Sequence, residues 1–507
     1  MGKLFQRVTV VLCWLGVSVA SGKGIKNVIL VVGDGMGPQQ IGLLETFARL
    51  GPGLPHKSAT PSWYQTMAQS SQIGLSMHYP EGGMVVDSAC SATQLATGLP
   101  AGSEMIGLDA KGRVVETVLE KAQKSGRSTG LVSDTRLTHA TPAAFAAHVG
   151  HRSLENDIAA QMLGQRVDVM MSGGARHFLP KSDPKSKRKD NRDLIKEARA
   201  AGYQVGFDRS ALLKVKKAPF LGLFAKSGMM DGIQYHRSRS DKKRTEPSLP
   251  EMTSKALQLL EPNPKGFFLM VEAGQIDWAG HQNDTATMLH EMLKMDETLG
   301  VIYNWVKDRD DTVVIVTADH ETGSFGFSYS SVNLPKPKKL EGEGFAGKDF
   351  KPNYNFGAPE VLGRLMQQKK SLVNMISAFD ALPAKDQTPK AMAAIINENS
   401  AFKVNPEGGV RILQTTANEF YAKGHSSLGA KERPFIRDFA AFYPYGEMVR
   451  ANLIGRELAT EQNVVWGTGT HTHTPVPVLV FGGQKAKGGL SGVVHHTDIG
   501  KFMLQQM

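Results

Sequence analysis

Ser88 stands where the chain changes character. Val85-Val86 reads as the end of a β-rich lead-in, and Asp87-Ser88-Ala89-Cys90-Ser91-Ala92-Thr93 opens a run of small, helix-forming residues. A serine at that point sits among unpaired backbone N–H groups at the positive end of a helix dipole. Those surroundings favour an alkoxide and, later, a phosphoryl group carried on the same oxygen. Serine is also a preferred N-cap, so Asp-Ser by itself specifies no chemistry. The carboxylates and imidazoles elsewhere in the chain do.

Asn27-Val28-Ile29-Leu30-Val31-Val32 is a continuous apolar run, the pattern of a strand buried on both faces. It ends in Gly33-Asp34-Gly35-Met36-Gly37, which puts Asp34 where open α/β sheets place their ligands. Gly266-Phe267-Phe268-Leu269-Met270-Val271 is a second such strand, ending in Glu272 and followed by Gln275-Ile276-Asp277-Trp278-Ala279-Gly280-His281. Asp277 and His281 are four residues apart, so a helix presents them on one face, a good partial zinc site. Thr312-Val313-Val314-Ile315-Val316-Thr317 is the third, running into Asp319-His320-Glu321. Three strands that each end in acid or imidazole are hard to assign to chance.

On these residues the chain resembles an alkaline phosphatase. The motifs are Gly33-Asp34-Gly35-Met36-Gly37, Asp87-Ser88-Ala89-Cys90-Ser91-Ala92-Thr93, His139-Ala140-Thr141-Pro142, Val271-Glu272-Ala273-Gly274-Gln275-Ile276-Asp277, Ala318-Asp319-His320-Glu321 and His471-Thr472. They span most of the chain and fall in the family's order.

The resemblance implies a role for each position. Ser88 matches the nucleophile. Asp277, His281 and His471 match a first zinc site, and Asp319, His320 and Asp34 a second. Asp34, Thr141 and Glu272 match a neighbouring magnesium site. The expected cofactors are thus two Zn2+ and one Mg2+ per subunit. Arg152, eleven residues after Thr141, matches the phosphate-binding arginine. His471 is preferred over His473 because it stands eleven residues before Gly482, the glycine that ends the next strand. His139, near the magnesium site, is aspartate in some relatives. Trp278, near the phosphate, is lysine or histidine in others. The pair resembles one bacterial branch and bears on metal preference and phosphate retention.

The implied activity is hydrolysis of phosphate monoesters at alkaline pH through a phosphoserine on Ser88. The chemistry suits the residues: a divalent pair about 4 Å apart can clamp the attacking and leaving oxygens of an in-line displacement, and an arginine can hold two phosphoryl oxygens at once. A phosphodiesterase of the same superfamily is the alternative. A sulfatase would need Cys/Ser-x-Pro-x-Arg, which neither Ser88-Ala89-Cys90-Ser91-Ala92 nor Cys90-Ser91-Ala92-Thr93-Gln94 supplies. A dead phosphate-binding scaffold would have lost a ligand or the nucleophile, and none is missing.

The first twenty residues read as a signal peptide. Lys3 and Arg7 precede an apolar stretch over 8–19, and Ser18-Val19-Ala20 has the form of a cleavage site. The stretch is too short for a firm membrane span, so a periplasmic or secreted enzyme without stable membrane insertion is expected. Cys13 leaves with the signal. Cys90 is then the sole cysteine, and stability must come from the core, metals and subunit contacts.

The ligands span Asp34 to His471 and must converge. This argues for one catalytic domain over 21–507, an α/β fold with a mainly parallel central sheet and helices on both faces. Residues 327–465 carry no core motif and read as a large insertion, with helices expected near 391–397 and 447–458 and an extended excursion near 335–351. A cap, or an arm embracing the second subunit of a homodimer, is the expectation for it. The net charge of +11 lies largely in 181–192 and 237–244, read as solvated loops. No aromatic interleaving points to specific nucleic-acid binding.

Overall fold

The first strand sets the plan. In a computed structural model that describes residues 24–52, 61–482 and 489–507, Asn27–Gly33 is buried along its whole length. Side chains alternate across a strand. Val28, Leu30 and Val32 therefore join an apolar cluster on one face of the sheet, and Ile29 and Val31 join another on the opposite face.

Ten strands form one sheet in the order Gly492–His495, Gln72–Met77, Val476–Gly482, Thr312–Ala318, Asn27–Gly33, Phe267–Ala273, Ser128–Arg136, Val169–Gly173, Phe220–Leu223, Gln204–Gly206. Every adjacent pair is parallel except the two made by Val476–Gly482, which runs against both neighbours. Helices cover both faces, as the apolar runs require.

Register carries this plan to the site. The three strands with acidic ends are neighbours, and Gly33 pairs with Ala273 on one side and Ala318 on the other. Their carboxyl ends are therefore level. Asp34, Glu272 and Asp319 are delivered side by side.

Two expectations need correction. The lead-in to Ser88 is not β: the strand Gln72–Met77 ends eleven residues earlier, and 78–87 is irregular. Pro80-Glu81-Gly82-Gly83 interrupts any ladder, and Asp87, not Ser88, caps the helix Ser88–Thr97 by accepting from the N–H groups of Ala89 and Cys90. Residues 327–465 are also more than an arm. Helices Glu360–Met366, Leu372–Asp380, Pro389–Asn399, Pro406–Leu413 and Val449–Gln462 share a third apolar cluster with Ala286, Met288 and Leu289 of the long helix Thr285–Val306. The extended excursion is confined to its first part, where the isolated bridges Ser330↔Asn355 and Lys338↔Phe350 pair the chain with itself.

The signal-peptide reading of 1–20 falls outside the described residues. Among the described residues, no helix is long and apolar enough to cross a membrane.

Candidate active site

Glycine brings the first two ligand segments together. Gly35 has φ +76, and a Cβ there would meet Asp277 Cα at 2.6 Å. Only glycine lets the turn after the first strand lie against the helix Gln275–His281. That helix sets Asp277 and His281 on one face, with Asp277 Oδ1 3.3 Å from His281 Nε2. His471 lies on a two-residue strand paired with Glu321–Thr322, and its Nε2 is 3.5 Å from the same oxygen.

Three groups of donor atoms result, the atoms of each within 4.8 Å of one another: Asp277, His281 and His471; Asp34, Asp319 and His320; Asp34, His139 and Glu272. Asp34 belongs to the last two groups, and the ring of His320 stacks on that of His471 with centroids 3.5 Å apart, so the three are contiguous. His473 is in none; its ring lies near Tyr79 and His78.

The electrostatics require a cation. Both carboxylate oxygens of Asp34, Oδ2 of Asp319 and Oε1 of Glu272 are buried without a hydrogen-bond partner. Burial, then the charges of Asp319, Asp277 and Glu272, pushes the Asp34 carboxyl well above the usual carboxylate range. Burial and Asp277 push Asp319 up to about 8. Burial would also raise Asp277, but the imidazoles of His281, His471 and His320 outweigh it and hold that carboxyl well below its ordinary value. Buried carboxylates are paired or coordinate metals, and hard oxygens with imidazole nitrogens are the donor chemistry of zinc and magnesium sites. The residues fit divalent ions.

Other contacts hold these donors in place. Glu272 accepts from Ser133 Oγ and from Thr135 Oγ1, the latter at 3.1 Å. Thr322 Oγ1 donates to Asp277 Oδ1 at 2.6 Å and lies 3.3 Å from His320 Nδ1. The Thr141 hydroxyl is buried and lacks a hydrogen-bond partner. His139 is more constrained. Its Nε2 lies 3.3 Å from Arg152 Nη2, and a guanidinium can only donate. The proton of a neutral ring therefore sits on Nδ1, which faces Glu272 Oε1 at 3.8 Å. In this geometry His139 Nε2 is taken up by Arg152, and its protonated Nδ1 offers no lone pair toward Glu272.

Ser88 Oγ lies 3.2 Å from His320 Nε2 at the start of its helix. Arg152 Nη1 donates to Asp87 Oδ2 at 3.0 Å, so the residue that caps the Ser88 helix also anchors the arginine. Ser88, Arg152, Asp277, Trp278, His281 and His471 line one cavity of about 290 Å³. Its other wall was not foreseen from the sequence: Ser427, Tyr445, Glu447 and Met448, all from 327–465. The Tyr445 ring stands edge-on to His281 at 4.8 Å.

A level row of parallel strands that gathers three metal-type donor sets, one of which lines a cavity with a helix-start serine, defines the class of metal-dependent hydrolases. The chain belongs to the alkaline phosphatase family, whose sequence model, described as alkaline phosphatase, matches residues 25–392. It is 36% identical over 403 residues to alkaline phosphatase 4 of Bacillus subtilis (strain 168), covering 78% of this chain and 80% of the relative. It is 38% identical over 323 residues to the repressible alkaline phosphatase of Saccharomyces cerevisiae, covering 59% of this chain and 55% of the relative. A cold-active alkaline phosphatase from a psychrophilic Shewanella sp. matches with TM-score 0.69 at 25% identity, over 94% of this chain and 99% of that one. The Thermus thermophilus alkaline phosphatase matches with TM-score 0.75 over 96% and 92%, and at 24% identity that likeness speaks for the fold. The protein is a phosphate-monoester hydrolase.

Proposed function

We propose that the enzyme works through a phosphoserine on Ser88, with zinc held by Asp277, His281 and His471 and by Asp34, Asp319 and His320, and magnesium held by Asp34, Thr141 and Glu272. The observation that carries this reading is the Ser88 hydroxyl at a helix start, in one cavity with Arg152 and beside the three donor sets. Bound divalent ions would supply the charge that lowers the pKa of the serine hydroxyl and of water and that offsets the dianion.

The chain's own residues do the rest. Arg152 binds two non-bridging oxygens of the substrate, its guanidinium held from behind by Asp87 and His139. Ser88 Oγ forms the new bond to phosphorus as the bond to the alcohol oxygen breaks, and the alcohol leaves. Water then attacks the same phosphorus from the vacated side, and Ser88 Oγ departs with inorganic phosphate as the product. The backbone N–H groups at the helix start favour the negative charge that returns to Ser88.

The signal-peptide reading of residues 1–20 supports a periplasmic or secreted enzyme, and the exposed apolar side chains near 328–358 support a homodimer. The test of the central claim is acid quenching during turnover followed by peptide mapping. The expected result is one phosphopeptide containing Ser88, absent from Ser88→Ala, whose turnover falls by orders of magnitude. Near-normal turnover with phosphate trapped on another residue would overturn it.

A further inference from the structure

Five residues of the cavity are not accounted for by phosphate or metal chemistry: Glu104, Ser427, Tyr445, Glu447 and Met448, its outer wall. Two carboxylates, an aromatic ring, a thioether and a hydroxyl line the space left for the leaving alcohol, and this wall contains no Lys or Arg. Glu447 makes no ion pair among the described residues, and Glu104 has only the exposed His151, 3.1 Å away.

Resting on the hydrolase reading above, we propose that this outer wall is a cation-selecting subsite, and that the preferred substrates are phosphate monoesters of small amino alcohols such as choline and ethanolamine. Aromatic faces attract ammonium groups, and paired carboxylates at a cavity mouth raise the local concentration of cations. The same wall repels an alcohol that carries its own negative charge. Specificity then divides along the cavity: Arg152 and the donor sets recognise the phosphoryl group, while Glu104, Tyr445 and Glu447 sort the alcohols. Tyr445 and Glu447 are brought to the site by the helical segment that packs on the catalytic core.

The test compares kcat/KM for phosphocholine, glycerol 3-phosphate and 3-phosphoglycerate, whose alcohols are cationic, neutral and anionic, with phenyl phosphate as a common reference. The expected order is phosphocholine, then glycerol 3-phosphate, then 3-phosphoglycerate, with roughly tenfold between the first two and a span that narrows as salt screens the charges. The Glu104→Gln/Glu447→Gln double variant should draw the three values together. Tyr445→Leu should lower phosphocholine more than glycerol 3-phosphate. A merely structural role would lower all substrates alike and leave the order and its salt dependence intact, which would overturn the subsite. Equal values for the three in the parent, with phenyl phosphate hydrolysed, would overturn the subsite alone. Failure on all four substrates would overturn the hydrolase reading and the subsite with it.

Discussion

His471 Nε2 lies 3.1 Å from His281 Nε2, while the Nδ1 of each ring faces a backbone carbonyl, Val86 O and Gly469 O, both at 2.8 Å. Each carbonyl holds a proton on the Nδ1 it faces, which turns the two Nε2 lone pairs toward one another and toward Asp277. Such an approach is stable only with a cation at the meeting point, a proton or a metal ion. Burial pushes His471 down to about 4, whereas at His281 burial is outweighed by the Asp277 charge, which raises it, so a proton at this point rests on His281 and a bound divalent ion would take its place.

That geometry yields the first prediction. Chelation should inactivate the enzyme, and zinc should restore most of the activity, with magnesium adding to it. His471→Ala and His281→Ala should each retain one zinc fewer per subunit than the parent by elemental analysis. His473→Ala should keep the full complement, because its ring lies against Tyr79 and outside every donor group. Full zinc in His471→Ala would show that the ligand was misassigned.

Trp278 gives a second. Its ring lies 6.0 Å from that of His139 at the edge of the phosphate cavity, and it brings no charge. Trp278→Lys would set an ammonium near the bound dianion, where a partly screened charge is worth roughly tenfold in affinity. The inhibition constant of inorganic phosphate should fall accordingly, with zinc content preserved. An unchanged or larger constant would refute the role.

Acid should destabilise the fold through Glu155 and His177, which lie 3.2 Å apart in a pocket with Arg136. Burial raises Glu155, but Arg136 outweighs it and holds the carboxyl at about 2. Burial lowers His177 to about 4. The sign is the same for both, since each binds fewer protons folded than unfolded. The His177 contribution is complete above about 6.5 and is lost as pH falls through 4; that of Glu155 is complete above about 4.5 and is lost toward 2. The depressed Glu155 value corresponds to at most about 3 kcal/mol at 1.36 kcal/mol per pKa unit. Glu155→Gln should lose up to that amount in denaturant melts at pH 8 and show a flatter decline below pH 4.5. A parallel decline in variant and parent would exclude Glu155 as the source.

Asp34, Glu272 and the Asp319-His320 pair were legible as donors because each stands at the end of an apolar strand and parallel register makes such ends converge, and Asp277 and His281 because helical spacing puts them on one face. Asp34, Glu272 and Asp319 needed no knowledge of loops. What stayed hidden depends on tertiary approach. Asp87 reads as a neighbour of the nucleophile, yet it both caps that helix and anchors Arg152, which is distant in sequence. Thr322 gives no sign that its hydroxyl spans two donor sets. Tyr445 and Glu447 follow no periodic pattern, and their place on the cavity wall is set by how five helices of 327–465 pack on the long helix Thr285–Val306. The helices expected near 391–397 and 447–458 are present as Pro389–Asn399 and Val449–Gln462, but amphipathic pattern alone did not show that they share a core with the catalytic domain.

The excursion before those helices carries the last prediction. Tyr329, Tyr354 and Phe356 form an exposed ring cluster with centroids 5.2 and 5.4 Å apart, and Phe327, Val332 and Leu334 are exposed beside it. Ordering such a segment costs about 1–2 kcal/mol per residue in backbone entropy, and its two isolated bridges bury little apolar surface in return. Contiguous exposed apolar side chains of this kind mark interaction sites, and a second copy of the chain is the partner we propose. Replacing residues 333–355 by a short linker removes Leu334 and Tyr354 and so breaks the cluster, while leaving the helices that follow and all of the donor residues in the chain. The excised form should sediment as a monomer, or dimerise at least about tenfold more weakly, and melt at lower temperature, while retaining its zinc. A parent that is monomeric at micromolar concentration, or an excised form that dimerises as tightly as the parent, would show that the excursion serves some other purpose.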